Sequence, residues 1–260
     1  MSHDPPVFGY RPNPLFATHG ARAIDLSGEA LDLVESEVPI DLTQWAPPGN
    51  FQGPMGRCTA HGGCAAVEGL IAMASRDGLW GGKTMELSRL AVYQRTLDAA
   101  GHRGVDQGAS GTEMCRVLAR GFPDVKKWPD SDVLGYDLPP PDVWTPRRLI
   151  AWRQVPHSRR GVRSALALAC PVVIGIPVFN GENGMGSAHS YATGEVREPA
   201  SGDAIVGWHM VTLWSHVPET RSFAVQNWWR GWGDERGLGT IPEDYVFGRA
   251  NEILALEAVR

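Results

Sequence analysis

Apolar positions along the chain change their period midway. From Cys58 onward Ala60, Cys64, Val67, Ile71 and Ala74 recur at steps of four, three, four and three, the spacing that keeps side chains on one helical face. The pattern predicts a helix ending near Asp77-Gly78. Leu87 to Ala100, with Ser88 near its start and Gly101 past its end, predicts a second helix, and Thr112 to Arg120 before Gly121 a third. Two shorter helices are expected, Ser27 to Glu35 with Ser27 as cap, and Ser164 to Ala169, stopped by Pro171. Beyond it Val172 to Phe179 reads as a buried strand, and Ile205 to His216, Ser222 to Asn227 and Gly239 to Ile241 as further strands. Helices first and strands later predict an α+β architecture with segregated halves. Residues 1–36 read as a proline-punctuated extended arm, 37–250 as the folded body and 251–260 as a C-terminal tail. Pro123 to Pro156 reads as a long surface crossing.

Composition narrows the function classes. The 260 residues are 43% hydrophobic, with 7 Phe, 10 Trp and 5 Tyr, enough to bury a sizeable core. A formal charge of -5 without a Lys/Arg run argues against a nucleic-acid partner. The longest apolar stretch, Ala165 to Phe179, is too short for a membrane span and holds two prolines. With no signal-peptide pattern at the N-terminus, the expectation is a cytoplasmic protein without a membrane partner. Four cysteines are too few for a disulfide scaffold of this size. The 31 Gly and 20 Pro imply many loops.

Chemistry concentrates around Cys58, where a Gly-containing loop turns into a helix. A helix N-terminus offers unpaired N–H groups and a positive dipole end, so a thiol there is expected to ionise more readily. Gln52, six residues earlier across two glycines, could return its amide to the same place as an oxyanion donor. Of the eight histidines, His209 has a partner by strand geometry. In a hairpin turning at Pro218-Glu219, positions 209 and 227 are equidistant from 218, so His209 faces Asn227 on a shared face. Trp228-Trp229 would cover that pair with apolar surface. The spacing of Cys58, His61 and Cys64 invites a zinc reading, but steps of three residues on a helix place the two sulfurs about 120° apart. No metal or other cofactor is expected.

Gln52-Gly-x-x-Gly-x-Cys58-Thr-Ala, Gly207-Trp-His209 and Gln226-Asn227-Trp-Trp-Arg-Gly-Trp-Gly-Asp234 together resemble the papain family of cysteine peptidases, its bacterial members above all. The resemblance runs over residues 37 to 247 and implies a helical left lobe, a β-rich right lobe and a cleft between them. It implies Cys58 as nucleophile, His209 as base then acid, Asn227 as orienter and Gln52 as oxyanion donor. Trp229 aligns with the tryptophan that shields the Asn, and Gly108 with the glycine whose backbone binds extended substrate. Arg57, Trp208 and Trp228 depart from the family pattern by their bulk. Whether they narrow specificity, block the cleft or point outward stays open, and Trp208 is taken with Gly108 and Trp229 as a substrate-binding candidate. The reading is a cysteine endopeptidase acting on protein or peptide substrates, with a regulatory or inhibitory protein partner as a further possibility. A silent peptide-binding module, or acyl transfer or amide hydrolysis on a non-protein substrate, are the alternatives. No family propeptide is recognisable; a partner, a narrow specificity or an N-terminal arm across the cleft would each restrain activity.

Overall fold

A computed structural model describes residues 8–13, 29–79, 81 and 83–260. In chain order the elements are α1 (Glu29–Glu35), β1 (Ile40–Asp41), α2 (Cys58–Arg76), α3 (Arg89–Ala99), α4 (Gly111–Leu118), β2 (Phe122–Pro123), β3 (Trp144–Thr145) and β4 (Leu149–Gln154). There follow α5 (Arg159–Ala167), β5 (Val172–Phe179), α6 (Ala188–Thr193), β6 (Ile205–Val217), β7 (Ser222–Gln226), β8 (Leu238–Pro242), α7 (Glu243–Arg249) and β9 (Glu252–Val259). The expected helix cap at Ser27 lies outside the described residues. None of the described helices is long and apolar enough to cross a membrane.

Helix α2 is buried around nearly its whole circumference, as a helix must be when it packs on helices at one side and a sheet at the other. Its glycines make that approach possible. A Cβ on Gly63 would lie 2.0 Å from Met114 Sδ, and one on Gly69 2.6 Å from the Trp214 ring. Each helical glycine costs about 1 kcal/mol of propensity, which the close packing offsets. Ser88 caps α3 through Ala91 N–H, and Ser110 with Glu113 closes a capping box on α4, satisfying donors the helix itself leaves orphaned. Glu68 of α2 receives Arg89 at 2.6 and 2.7 Å and Leu87 N–H at 2.7 Å. The pair is buried, and removing one partner of such a pair costs about 3–5 kcal/mol.

The antiparallel sheet runs β4-β9-β5-β6-β7-β8, with β1 pairing the far end of β6. Two expectations change here. The segment read as a surface crossing contains β3 and β4, and residues 251–260, read as a tail, contain β9, seated between β4 and β5. The Glu-Ile-Leu-Ala-Leu-Glu-Ala-Val run of β9 is poor in β-branched residues and rich in helix formers, so propensity hides a strand that burial dictates. Helix α5 begins earlier than expected, capped by Ser158. The β6–β7 hairpin also differs in register. Thr212 pairs with Gln226 and Leu213 with Val225, a shift follows, and Val217 pairs with Ser222. The turn therefore lies at 218–221, and Asn227 falls just past the paired strand rather than directly opposite His209.

Arg163 of α5 fastens α1 to the body. Its guanidinium donates to the carbonyls of Leu33, Val34, Ser36 and Val38 and to His216 Nδ1 at 2.8 Å. That leaves His216 Nε2–H to donate to Glu243 at 2.5 Å. Burial lowers the His216 pKa, and the imidazole is held neutral.

Candidate active site

The first residue of α2, Cys58, meets β6 where His209 gives way to Met210, whose backbone N–H lies beside the Cys58 sulfur and favours its anion. His209 Nε2 bonds Asn227 Oδ1 at 2.7 Å, and the same oxygen accepts Trp228 N–H at 2.7 Å. The two-residue difference in hairpin register preserves side-chain parity. Strand residues two apart share a face, so the diagonal neighbour remains within reach. Trp229 lies over the imidazole with ring centroids 4.3 Å apart, which keeps water from the His209–Asn227 bond. With Nε2 engaged, Nδ1 is the remaining ring nitrogen; it is buried and makes no hydrogen bond.

The loop before α2 is braced at both ends. Gln52 N–H donates to Trp228 O at 3.0 Å, tying the loop to the Asn227 segment, while Gln52 Nε2 donates to Met55 O at 3.0 Å. Arg57 is buried and held by partners of its own. At 3% exposure it donates to Gln52 O and Ser131 O and pairs with Asp132 at 3.3 Å. Trp228 is likewise a core residue, its indole donating to Met210 O at 2.9 Å. Of the three bulky departures, only Trp208 faces the groove, against Tyr10 at 6.1 Å. Asp106 completes the frame, accepting Gly56 N–H at 3.1 Å and Tyr93 O–H at 2.5 Å. Gly108 N–H in turn donates to Tyr93 Oη at 3.0 Å. Asp106 and Tyr93 thus support the site, a role that no pattern in the sequence assigns to them.

Residues 8–13 fill the groove between these walls. Tyr10 bridges to Ala109 in parallel orientation, with Arg11 N–H on Ala109 O and Ala109 N–H on Gly9 O, both at 2.9 Å. Gly9 N–H is among the backbone dipoles that act on the Cys58 sulfur and favour its anion. The fit leaves no room for a side chain at position 9, where a Cβ would lie 1.8 Å from Gly56 O. Phe8 packs edge-on against Trp229 at 6.3 Å. Gly108, expected to present its backbone to an extended peptide, lies against Gly9, but the main-chain hydrogen bonds to this segment come from its neighbour Ala109 and from Trp208 O.

Burial reverses the expected ionisation of the thiol. Cys58 is 0% exposed, and loss of solvent pushes its pKa up to about 12 although the nearby Met210, Gly9 and Thr59 backbone N–H groups act to lower it. The helix N-terminus favours the thiolate, yet the cost of an anion without water exceeds that help. His209, also 0% exposed, is pushed down to about 3 by burial, with the Asn227 bond acting against it. The arm-covered site therefore holds a neutral thiol and a neutral imidazole. His61 is core, its Nδ1 on Asn50 O at 3.0 Å. Cys64, Cys115 and Cys170 are buried free thiols. Among the described residues no group of His, Cys, Asp or Glu has the arrangement of a metal site.

The same architecture recurs in solved structures. Xylellain, a cysteine protease from Xylella fastidiosa, superposes with a TM-score of 0.75 at 20% identity, covering 100% of this chain and 99% of that one. Procathepsin B S9 from Trypanosoma congolense superposes with a TM-score of 0.70 at 13% identity, covering 96% and 86%. The chain thus has the α+β, papain-like fold. No protein-family model matches it, and no curated protein does.

Proposed function

We propose that this protein is a cysteine peptidase that hydrolyses peptide bonds through an acyl-enzyme on Cys58 and is held latent by its own residues 8–13. The carrying observation is the His209–Asn227 pair: Nε2 bonded at 2.7 Å, Nδ1 buried without a partner, one residue from the Met210 N–H that lies beside the Cys58 sulfur. With the arm displaced, water and substrate enter and the thiol proton passes to Nδ1. The resulting thiolate attacks the peptide carbonyl carbon, and its oxygen takes up the electron pair. The Cys58 backbone N–H and the Gln52 amide are the donors for that oxyanion. The imidazolium returns the proton to the leaving amine, and water, deprotonated by the same nitrogen, releases the acyl group. Asn227, by holding Nε2, leaves Nδ1 as the nitrogen that exchanges the thiol proton. Four free thiols suit a reducing compartment such as the cytoplasm.

The covered thiol favours a second reading, a papain-like module that holds a peptide without cutting it. Labelling with a thiol-directed epoxide distinguishes the two. Wild type incubated with substrate peptide is expected to label at Cys58, Cys58→Ala is not, and Cys64→Ala is expected to label as wild type does. A folded protein that never labels at Cys58, even with residues 8–13 displaced, leaves the binding module as the reading.

A further inference from the structure

Several side chains hold the segment across the groove, Asn13 by bonds to Thr112 and Glu252 at 3.3 Å, but Tyr10 alone among them enters a cavity lined for its own chemistry. Tyr10 is only 4% exposed. Its ring occupies space opened by a missing side chain: a Cβ on Gly175 would lie 2.3 Å from Tyr10 Cζ. Trp208 forms the wall, edge-on at 61°. At the closed end the phenol donates to Asn251 Oδ1 at 2.5 Å. Asn251 is itself fixed, its N–H on Gly175 O at 2.8 Å, so floor and polar end move as one unit. Behind it the buried Glu252 carboxylate takes Gly111 N–H, Thr112 N–H and the Thr112 hydroxyl at 2.6–3.2 Å. Burial, and after it the Glu252 charge, raise the Tyr10 pKa, so the pocket takes a neutral phenol. The main-chain groups beside it, Trp208 O and the N–H and C=O of Ala109, would serve any extended peptide.

We propose that the Gly175–Trp208–Asn251 pocket is a tyrosine-selective specificity pocket, filled by Tyr10 in the latent protein and by a tyrosine of the peptide substrate in the open one. The proposal rests on the peptidase reading for its use in catalysis, but not for the binding itself. Gly175 supplies the depth for an aromatic ring, and Asn251 separates tyrosine from phenylalanine, because its half-buried Oδ1, which also accepts Asn13 N–H at 2.8 Å, loses the phenol's hydrogen bond when the ring carries no hydroxyl. Glu252 disfavours acidic side chains at the same place.

The test uses the full chain carrying Tyr10→Ala, which empties the pocket; Gly9→Val, which lifts the arm by its clash with Gly56, empties it independently. The probe is the hexapeptide Ac-Phe-Gly-Tyr-Arg-Pro-Asn-NH2 and its versions with Phe, Ala or Glu in place of Tyr, with binding read by calorimetry. The tyrosine peptide should bind about tenfold more tightly than the phenylalanine one and about a hundredfold more tightly than the alanine one. Asn251→Leu should bring the tyrosine-to-phenylalanine ratio to about one. Equal binding of the tyrosine and alanine peptides, no binding of any, or an unchanged ratio in Asn251→Leu overturns the proposal. A peptide-library digest supplies the second readout, with tyrosine expected at one fixed position relative to the cut. Selective binding without any cleavage would remove the peptidase reading and leave the pocket standing. Cleavage without tyrosine preference would do the reverse.

Discussion

Replacing Gly9 with valine tests whether the chain's own N-terminal segment controls the thiol. The new Cβ would have to lie 1.8 Å from Gly56 O, so the arm cannot seat. The Gly9 N–H leaves the Cys58 sulfur, and water takes its place. In the covered state the thiol is pushed up to about 12 from its ordinary 9.0. At pH 7.5 that lowers the thiolate fraction from about 3% to about 0.003%, roughly a thousandfold, before any steric shielding is counted. Iodoacetamide alkylation of Cys58, followed by intact-mass and peptide mass spectrometry, reads the difference directly. Wild type should react at least about a thousandfold more slowly than a free thiol, and Gly9→Val should recover most of that factor. Cys64, Cys115 and Cys170, buried in the core, should stay unmodified in both, and Cys58→Ala should give no adduct. Equal rates in wild type and Gly9→Val, at unchanged thermal stability, would refute the claim that residues 8–13 govern access to the thiol.

Asn227→Ala removes the acceptor of both His209 Nε2 and Trp228 N–H; kcat of the arm-released enzyme should fall about a hundredfold or more while KM changes little, measured on one fluorogenic peptide. Acid should destabilise the fold, because His61, His209 and His216 all have pKa values lowered by burial. A lowered folded pKa means stability that is present above the unfolded value near 6.5 and lost as pH falls below it. Three protons taken up only by the unfolded chain give up to about 4 kcal/mol per pH unit, opposed by Glu68, whose pKa burial raises. Urea midpoints at pH 7.0, 6.0 and 5.0 should therefore fall with pH; a flat series would contradict neutral burial of these histidines.

Local rules made much of this protein legible from its residues. The α2 face from Ala60 to Ala74 follows from helical periodicity, the ends of α3 from Ser88 and Gly101, and β5 from an apolar run between Pro171 and the glycine-rich loop. His209 and Asn227 could be paired because strand parity survives a two-residue change of register. What failed depended on partners distant in sequence. The strand β9 is dictated by burial between β4 and β5, which overrides the helix-favouring composition of its residues. The buried position of Arg57 depends on Ser131 and Asp132, more than seventy residues away. The state of Cys58 is the sharpest case. By itself the sequence determined that a thiol stands at a helix N-terminus, where the dipole favours its anion. Only the tertiary structure decided that Gly9 and β6 close over it, and desolvation, which grows as water is excluded, then outweighs the dipole and keeps the sulfur protonated.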